Sequence, residues 1–170
     1  MLGADAWHVA PTTWERAALG SPSMEDRDAI LRSLLEERTV DILTTGRRSG
    51  ALRTTEIWTT VVDGQTYVCG TPNASKAGVE RQPRDWLANL VARPEFTIRL
   101  KKSVQAELPA RAERVDDPDE RRRVLTAPNT EYYRNAVSLD AALAYSPLVR
   151  VQFTGDAAWL ADAVRQAPSS

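Results

Sequence analysis

The apolar positions fall first at helical spacing. Ile30 and Leu34, and Leu31 and Leu35, stand four apart, with Asp26 near the start, where a carboxylate favours a helix N-terminus. A helix over 24–38 is predicted. From Thr39 the period becomes two: Val40, Ile42 and Thr44 share one face, and Asp41, Leu43 and Thr45 the other. A first strand therefore runs over 39–45. A turn at 44–55 leads into a long β-branched run in which Arg53, Thr55, Ile57, Thr59 and Val61 alternate with Thr54, Glu56, Trp58, Thr60 and Val62. Asp63-Gly64 is a favoured hairpin turn into a third strand, Gln65–Cys69, so three antiparallel strands are predicted.

Residues 70–83 are polar and lack apolar periodicity, which predicts a loop long enough to suggest a functional role. Trp86, Leu87, Leu90 and Val91 form one face of a short helix that also holds Asn89, and Arg93-Pro94 stops it. Phe96, Ile98 and Leu100 mark a fourth strand. A fifth runs from Val104 to Glu113, and Pro109 within it suggests an edge strand or a bulge. Asp117 as cap, Pro118 at the first helical position and Glu120 announce another helix, with Arg121, Arg122 and Arg123 expected on its solvated surface. A helical segment ending near Tyr145 precedes a sixth strand, Leu148–Phe153, with Val149, Val151 and Phe153 facing inward. A short Trp159/Leu160/Ala163/Val164 face closes the chain.

Hairpin-length links between the opening strands argue against a parallel α/β sheet and for a small six-stranded antiparallel barrel of the α+β class. The expected organisation is an N-terminal arm at 1–22 with Trp7, Trp14 and Leu19, a barrel domain with its leading helix at 23–155, and a C-terminal tail at 156–170.

Composition narrows the function. At 170 residues the chain fits one domain with a sizeable core. A net charge of −1 is no basis for general nucleic-acid binding, and no apolar run approaches a membrane span. The N-terminus lacks signal-peptide features and Cys69 is the only cysteine, which points to the cytoplasm and leaves no disulfide within the chain; peripheral membrane contact through the arm is a minor alternative. With one histidine, His8, and one cysteine, neither a His/Cys metal site nor a Cys-His catalytic pair can be assembled, so metal-free chemistry is expected.

The stretch richest in chemistry is the turn Thr44-Thr45-Gly46-Arg47-Arg48-Ser49-Gly50-Ala51-Leu52-Arg53-Thr54-Thr55. Its glycines let backbone amides turn toward a ligand, and its arginines carry fixed planar positive charge suited to phosphate or carboxylate. On spacing alone the turn fits an ordinary hairpin loop with solvated arginines equally well.

Leu43 to Arg53, the Asp63-Gly64 hairpin and Trp86-Leu87-Ala88-Asn89-Leu90-Val91-Ala92-Arg93-Pro94 together resemble the deazaflavin-dependent nitroreductase family. That family lies in the flavin-binding split-barrel superfamily, which also contains the pyridoxamine phosphate oxidases. The resemblance spans roughly 39–154, and the specific part is a G-R-x-S-G-x-x-R turn followed at this separation by W-x-x-N-L-x-x-x-P. It implies a split β-barrel with short peripheral helices that binds coenzyme F-420, whose tail carries a phosphate and glutamates. By the same resemblance Arg47, Arg48, Arg53 and Ser49, with Gly50, Thr54, Thr55 and Trp58, contact the cofactor; Trp86 and Asn89 lie beneath the turn; and Ser75 and Lys76 border the ring. Glu56 departs from a proline common in the family and reads either as a solvent-facing strand residue or as part of the pocket edge.

The implied reaction is hydride transfer from the reduced cofactor to a conjugated small molecule such as a quinone, enone or nitro compound. Tyr132 or Tyr133 is then the candidate proton donor or acceptor-positioning group; two tyrosines in a helix also serve as packing residues. FMN is the alternative cofactor, since one phosphate also suits the turn. A non-catalytic carrier of a flavin-like or other amphipathic ligand is the alternative of another class. Split barrels commonly dimerise, so a homodimer is expected by analogy.

Overall fold

A computed structural model of the chain describes residues 22–72, 85–131, 135 and 138–167. Helix α1 (Met24–Glu36) starts on a capping box, in which the Ser23 hydroxyl accepts the Asp26 N–H at 3.1 Å and the Asp26 carboxylate accepts the Ser23 N–H at 3.3 Å. It ends two residues before the expected 38, because Glu37 is already extended and the Arg38 carbonyl is taken by the Thr59 N–H at 2.9 Å. The strands follow as β1 (Thr39–Thr45), β2 (Leu52–Val62) and β3 (Gln65–Cys69). Helix α2 (Asp85–Ala92) precedes β4 (Glu95–Lys101) and β5 (Gln105–Arg114); α3 (Pro118–Thr126) and α4 (Leu139–Tyr145) precede β6 (Leu148–Phe153); and α5 (Leu160–Gln166) is the final element.

All six strands pair antiparallel in the order β1-β2-β3-β6-β5-β4, and the β1–β4 ladder closes the barrel. Opposed residues of an antiparallel ladder share a face. The β1–β2 register therefore puts Val40 with Ile57, Ile42 with Thr55 and Thr44 with Arg53 on the inner side, and Asp41 with Glu56, Leu43 with Thr54 and Thr45 with Leu52 on the outer side. Inside, Val40, Ile42, Ile57, Val68, Ile98, Leu100, Val149, Val151 and Phe153 form one core, to which α1 adds Ile30 and Leu34 and α5 adds Leu160 and Val164. The predicted alternation of β1 and β6 is thus the alternation observed. Each such side chain contributes roughly 1.5–3 kcal/mol by leaving water. A second apolar cluster lies where α3 and α4 pack over β3 and β6, with Tyr67, Cys69, Val124, Leu125, Ala142 and Leu148 buried together.

Two expectations are corrected. Strand β5 is not an edge: it pairs with β4 from Gln105 to Arg111 and with β6 from Ala110 onward, and no bulge interrupts the β4 register. Pro109 is tolerated because it sits where the β6 ladder ends. Its carbonyl accepts the Thr154 N–H at 2.9 Å, so the nitrogen on the same side of the strand has no ladder bond to make.

The arginine triplet on α3 is also more than a solvated surface. Arg121 donates to the carbonyls of Val115 (2.9 Å), Leu143 (3.0 Å) and Ser146 (2.8 Å), tying α3 to the C-terminal end of α4. Arg123 pairs with Asp63 of the β2–β3 hairpin at 2.6 Å, leaving Arg122 as the exposed member without an ion pair among the described residues.

Strand lengths shape the remaining surface. β2 has eleven residues and β3 five, and β3 pairs only with Trp58–Val62. The first half of β2 therefore extends past its neighbour and, among the described residues, pairs with β1 alone.

Candidate functional site

The turn between β1 and β2 is closed by its own backbone. Gly46 N–H donates to the Ala51 carbonyl and Gly50 N–H to the Gly46 carbonyl, both at 2.8 Å. The Ser49 hydroxyl accepts the Ala51 N–H at 3.3 Å. Two positions require glycine. A Cβ on the buried Gly46 would lie 2.8 Å from Ser49 Oγ and 3.2 Å from the Ala51 carbonyl oxygen, and Gly50 has φ +70°.

Helix α2 fixes this turn from below. Its apolar face buries Trp86, Leu87 and Leu90, which leaves Asn89 on the side toward the turn, 7% exposed. Asn89 Oδ1 accepts the Arg47 N–H at 3.0 Å, and Asn89 Nδ2 donates to Thr44 Oγ1 at 3.3 Å. Its carbonyl accepts the Arg93 N–H at 2.7 Å. The expected place of Asn89 beneath the loop is the observed one, with its side-chain amide engaged by the protein itself.

Above that anchor the charges are unneutralised. Arg47, Arg48 and Arg53 are exposed, and none of them has an ion-pair partner among the described residues. Several arginines elsewhere are paired: Arg99 with Glu107 at 2.7 Å, Arg114 with Asp116 at 2.7 Å, Arg150 with Glu113 and Glu120 at 2.8 and 2.6 Å. Arg93, a residue the sequence offers only as a helix stop, joins the unpaired group. Its guanidinium crosses to the turn, 3.7 Å from where a Cβ of Gly50 would stand. Only its position beside a proline marked it in the sequence, and that signal speaks of the backbone.

At the other end of the overhanging half of β2 lies a cavity of about 280 Å³, lined by Thr39, Thr55, Glu56, Ile57, Trp58, Cys69, Gly70, Thr71 and Trp86. Gly70 is pinched there: a Cβ would be 3.3 Å from Ile57 and Trp86 and 3.4 Å from Pro147. Of the residues expected to contact a cofactor, Thr55, Trp58 and Trp86 meet at this cavity, and Arg47, Arg48, Ser49, Gly50 and Arg53 meet at the turn. Thr54 points to the outer face, opposite to Arg53 and Thr55. Ser75, Lys76, Tyr132 and Tyr133 lie outside the described residues.

Glu56 answers to both of its readings. It is exposed on the outer face and also lines the cavity rim. Lys101 Nζ bridges it at 2.6 Å and Asp41 at 2.5 Å, and hydrogen bonds to Asp41 and Glu56 raise the lysine pKa above its usual value. Among the described residues no group of His, Cys, Asp and Glu could hold a metal ion, and no helix is long and apolar enough to cross a membrane.

A second cleft of about 470 Å³ opens between the end of α1, the β2–β3 hairpin and α5, with Glu36, Glu37, Arg38 and Asp63 as its charged lining. That balance disfavours an anionic ligand. The exposed arginines of the turn favour one.

Comparison with known proteins agrees with this geometry. No curated protein is similar enough to count as a match. Among solved structures, Atu2129 of Agrobacterium tumefaciens aligns at 21% identity and a TM-score of 0.55, over 86% of this chain and 58% of that one. An FAD-binding protein of Mesorhizobium loti aligns at 11% identity and a TM-score of 0.53, over 76% and 89%. These likenesses establish the split-barrel fold. The model of the F420H2-dependent quinone reductase family matches residues 24–144, from the start of α1 to the end of α4, and so includes the turn, Asn89 and the cavity. The chain belongs to the F420H2-dependent quinone reductase family and is a deazaflavin-dependent oxidoreductase.

Proposed function

We propose that the protein reduces a small conjugated acceptor, a quinone foremost and an enone or nitro compound by the same chemistry, at the expense of reduced coenzyme F-420. The observation that carries this reading is a set of unpaired arginines around a turn that Asn89 locks in place. The cofactor, when bound, supplies the hydride. The chain's part is to hold, orient and exclude water.

The residues present fit such a group. Arg47, Arg48 and Arg53 offer planar donors to the phosphate and carboxylates of its tail, each charge-assisted bond contributing roughly 1.5–3 kcal/mol. The cavity, at about 280 Å³, suits a flat ring better than a whole dinucleotide, with Trp58 and Trp86 among its walls. Ser75 and Lys76 border the ring in this reading. Reduction of a quinone also requires a proton, and Tyr132 or Tyr133 donates it or positions the acceptor. Full turnover in both Tyr132→Phe and Tyr133→Phe would remove that assignment. A cytoplasmic homodimer is the form we propose for the working enzyme.

The deciding experiment is a side-by-side titration with F-420 and FMN, read by quenching of tryptophan fluorescence. Tight binding of F-420, with oxidation of its reduced form by quinones, is the expected result. Preference for FMN would reassign the cofactor, a reading the single phosphate of FMN would also satisfy at this turn. Binding of F-420 without turnover across quinones, enones and nitroaromatics would make the protein a carrier.

A further inference from the structure

The overhang of β2 leaves backbone groups exposed in a defined pattern. Ala51 accepts from Gly46 and Thr59 donates to Arg38, so the odd-numbered residues of β2 direct their N–H and C=O groups to the β1 side. Along an antiparallel strand these directions alternate. The N–H and C=O groups of Leu52, Thr54 and Glu56 therefore point away from β1, toward the side where β3 pairs only from Trp58 onward. Among the described residues they meet no partner strand. They form an edge of three donor–acceptor pairs repeating at roughly 6.8 Å.

This edge joins the two halves of the site. At its Glu56 end is the cavity; at its Leu52 end are the turn and its unpaired arginines, with Arg53 beside it on the inner face. The one carboxylate of the edge, on Glu56, is turned to the outer face and bridged to Lys101 at 2.6 Å, which removes its repulsion from the path of an anion.

We infer that the β2 edge is a docking strand for the amide-linked glutamates of the cofactor tail, which add to the sheet as a short extra strand while the arginines neutralise their carboxylates. Each glutamate amide carries one N–H and one C=O, as the edge does, and its carboxylate meets the basic side. A neutral or cationic peptide would match the backbone pattern without the charge, and a second copy of the chain would bring a second set of arginines against the first. The inference rests on the proposed function and assigns the part of the site that recognises the tail beyond its phosphate.

The test compares coenzyme F-420 bearing several glutamates with its counterpart that ends at the phosphate, for the unaltered protein, Thr54→Pro and Thr54→Val. Proline removes one edge N–H, on the side β1 does not use; valine keeps it. Thr54→Pro should cut the preference for the glutamate-bearing form about fivefold relative to the unaltered protein and Thr54→Val, the effect of one or two net hydrogen bonds, while the arginine–carboxylate contacts keep the remainder. In the unaltered protein, amide exchange at Leu52, Thr54 and Glu56 should slow only with the glutamate-bearing form. An affinity ratio of one in the unaltered protein, or a ratio in Thr54→Pro equal to that in Thr54→Val, overturns the inference and leaves the proposed function standing. Amides already protected in the free protein overturn it too, because the edge would then be occupied by another copy or another segment of the chain. If neither form binds the unaltered protein, the proposed function fails first and this inference with it.

Discussion

Asn89 Oδ1 accepts the backbone N–H of Arg47 at 3.0 Å across 42 residues of sequence, and the same side chain donates to Thr44. The side chain of a buried helix residue thus sets the height and tilt of the turn whose guanidinium groups face solvent. Replacing Asn89 by Ala should leave the Arg47 amide without this partner and release the turn. We expect a loss of about 1–2 kcal/mol in urea unfolding. F-420 affinity should fall several-fold even though the turn arginines remain. Asn89→Asp keeps the Arg47 acceptor, reverses the bond to Thr44 so that the hydroxyl donates, and adds negative charge below the arginines, so it should weaken F-420 more than it weakens the fold. Equal affinity in all three proteins would show that turn position is immaterial to binding.

The unpaired arginines give the opposite signature. Arg47 and Arg53 make no ion pair among the described residues, so Arg47→Ala and Arg53→Ala should leave the urea midpoint within experimental error. Each should weaken F-420 about tenfold, and the salt dependence of binding should become shallower. Unchanged affinity in both variants would remove the clamp from the proposed function.

Much of this was legible from residue order. The Val40/Ile42/Thr44 alternation, the Asp63-Gly64 turn and the Asp117 cap are local signals, and local hydrogen bonds realise them: Asp63 and Gly64 both have positive φ, and Asp117 accepts the Glu120 N–H at 2.7 Å. The unequal lengths of β2 and β3 were legible too, and the stretch of β2 without a β3 partner among the described residues follows from them. What could not be read were contacts set by closure of the barrel. Arg121 finds its carbonyls only once α3 and α4 lie side by side, and Pro109 is harmless only because β6 stops where it does. Arg93 comes to Gly50 because α2 ends under the turn, a relation between elements more than 40 residues apart. Periodicity reports the face of one element and carries no information about its neighbour.

The glycines separate backbone strain from crowding. Gly50 has φ +70° in an exposed turn with only the tip of Arg93 nearby, so Gly50→Ala should cost about 1–2 kcal/mol from conformation alone. Gly64 has φ +71° and in addition would bring a Cβ to 2.9 Å from the Arg165 Cα on α5. That contact is with backbone and cannot be relieved by a rotamer change. Gly64→Ala should therefore be the more destabilising of the two in urea unfolding and should loosen α5, seen as faster amide exchange in Leu160–Gln166. Equal losses would mean that α5 shifts freely and contributes little to the core.

The last prediction concerns pH and the outer face of β3 and β6. Arg150 binds Glu120 at 2.6 Å and Glu113 at 2.8 Å, and the Tyr67 hydroxyl donates to Glu120 at 2.8 Å. Burial acts to raise the Glu120 pKa, but hydrogen bonds from Arg150 and Tyr67 outweigh it and hold the carboxyl below its ordinary 4.5. Glu37 is lowered in the same way, burial being outweighed by hydrogen bonding from Ser103, whose N–H donates to Glu37 Oε1 at 2.8 Å. With folded values below unfolded ones, the unfolded chain binds more protons in this range. The stabilisation is therefore complete above about pH 4.5 and is lost as pH falls through the folded values. Burial and the neighbouring Glu120 raise the Tyr67 pKa above 10, so its contribution is present below pH 10 and is lost as pH rises past it. Stability measured by urea unfolding should fall off on both sides of a neutral plateau. Glu120→Gln should flatten the acid limb and, by removing the charge that helps raise the Tyr67 pKa, make the alkaline limb shallower as well. Arg150→Met should lower stability at pH 7 by about 1–2 kcal/mol, since Glu120 keeps its charge with its main partner gone. An acid limb of unchanged slope in Glu120→Gln would assign the acid sensitivity to Glu37 or to other carboxylates and would detach this network from the pH response.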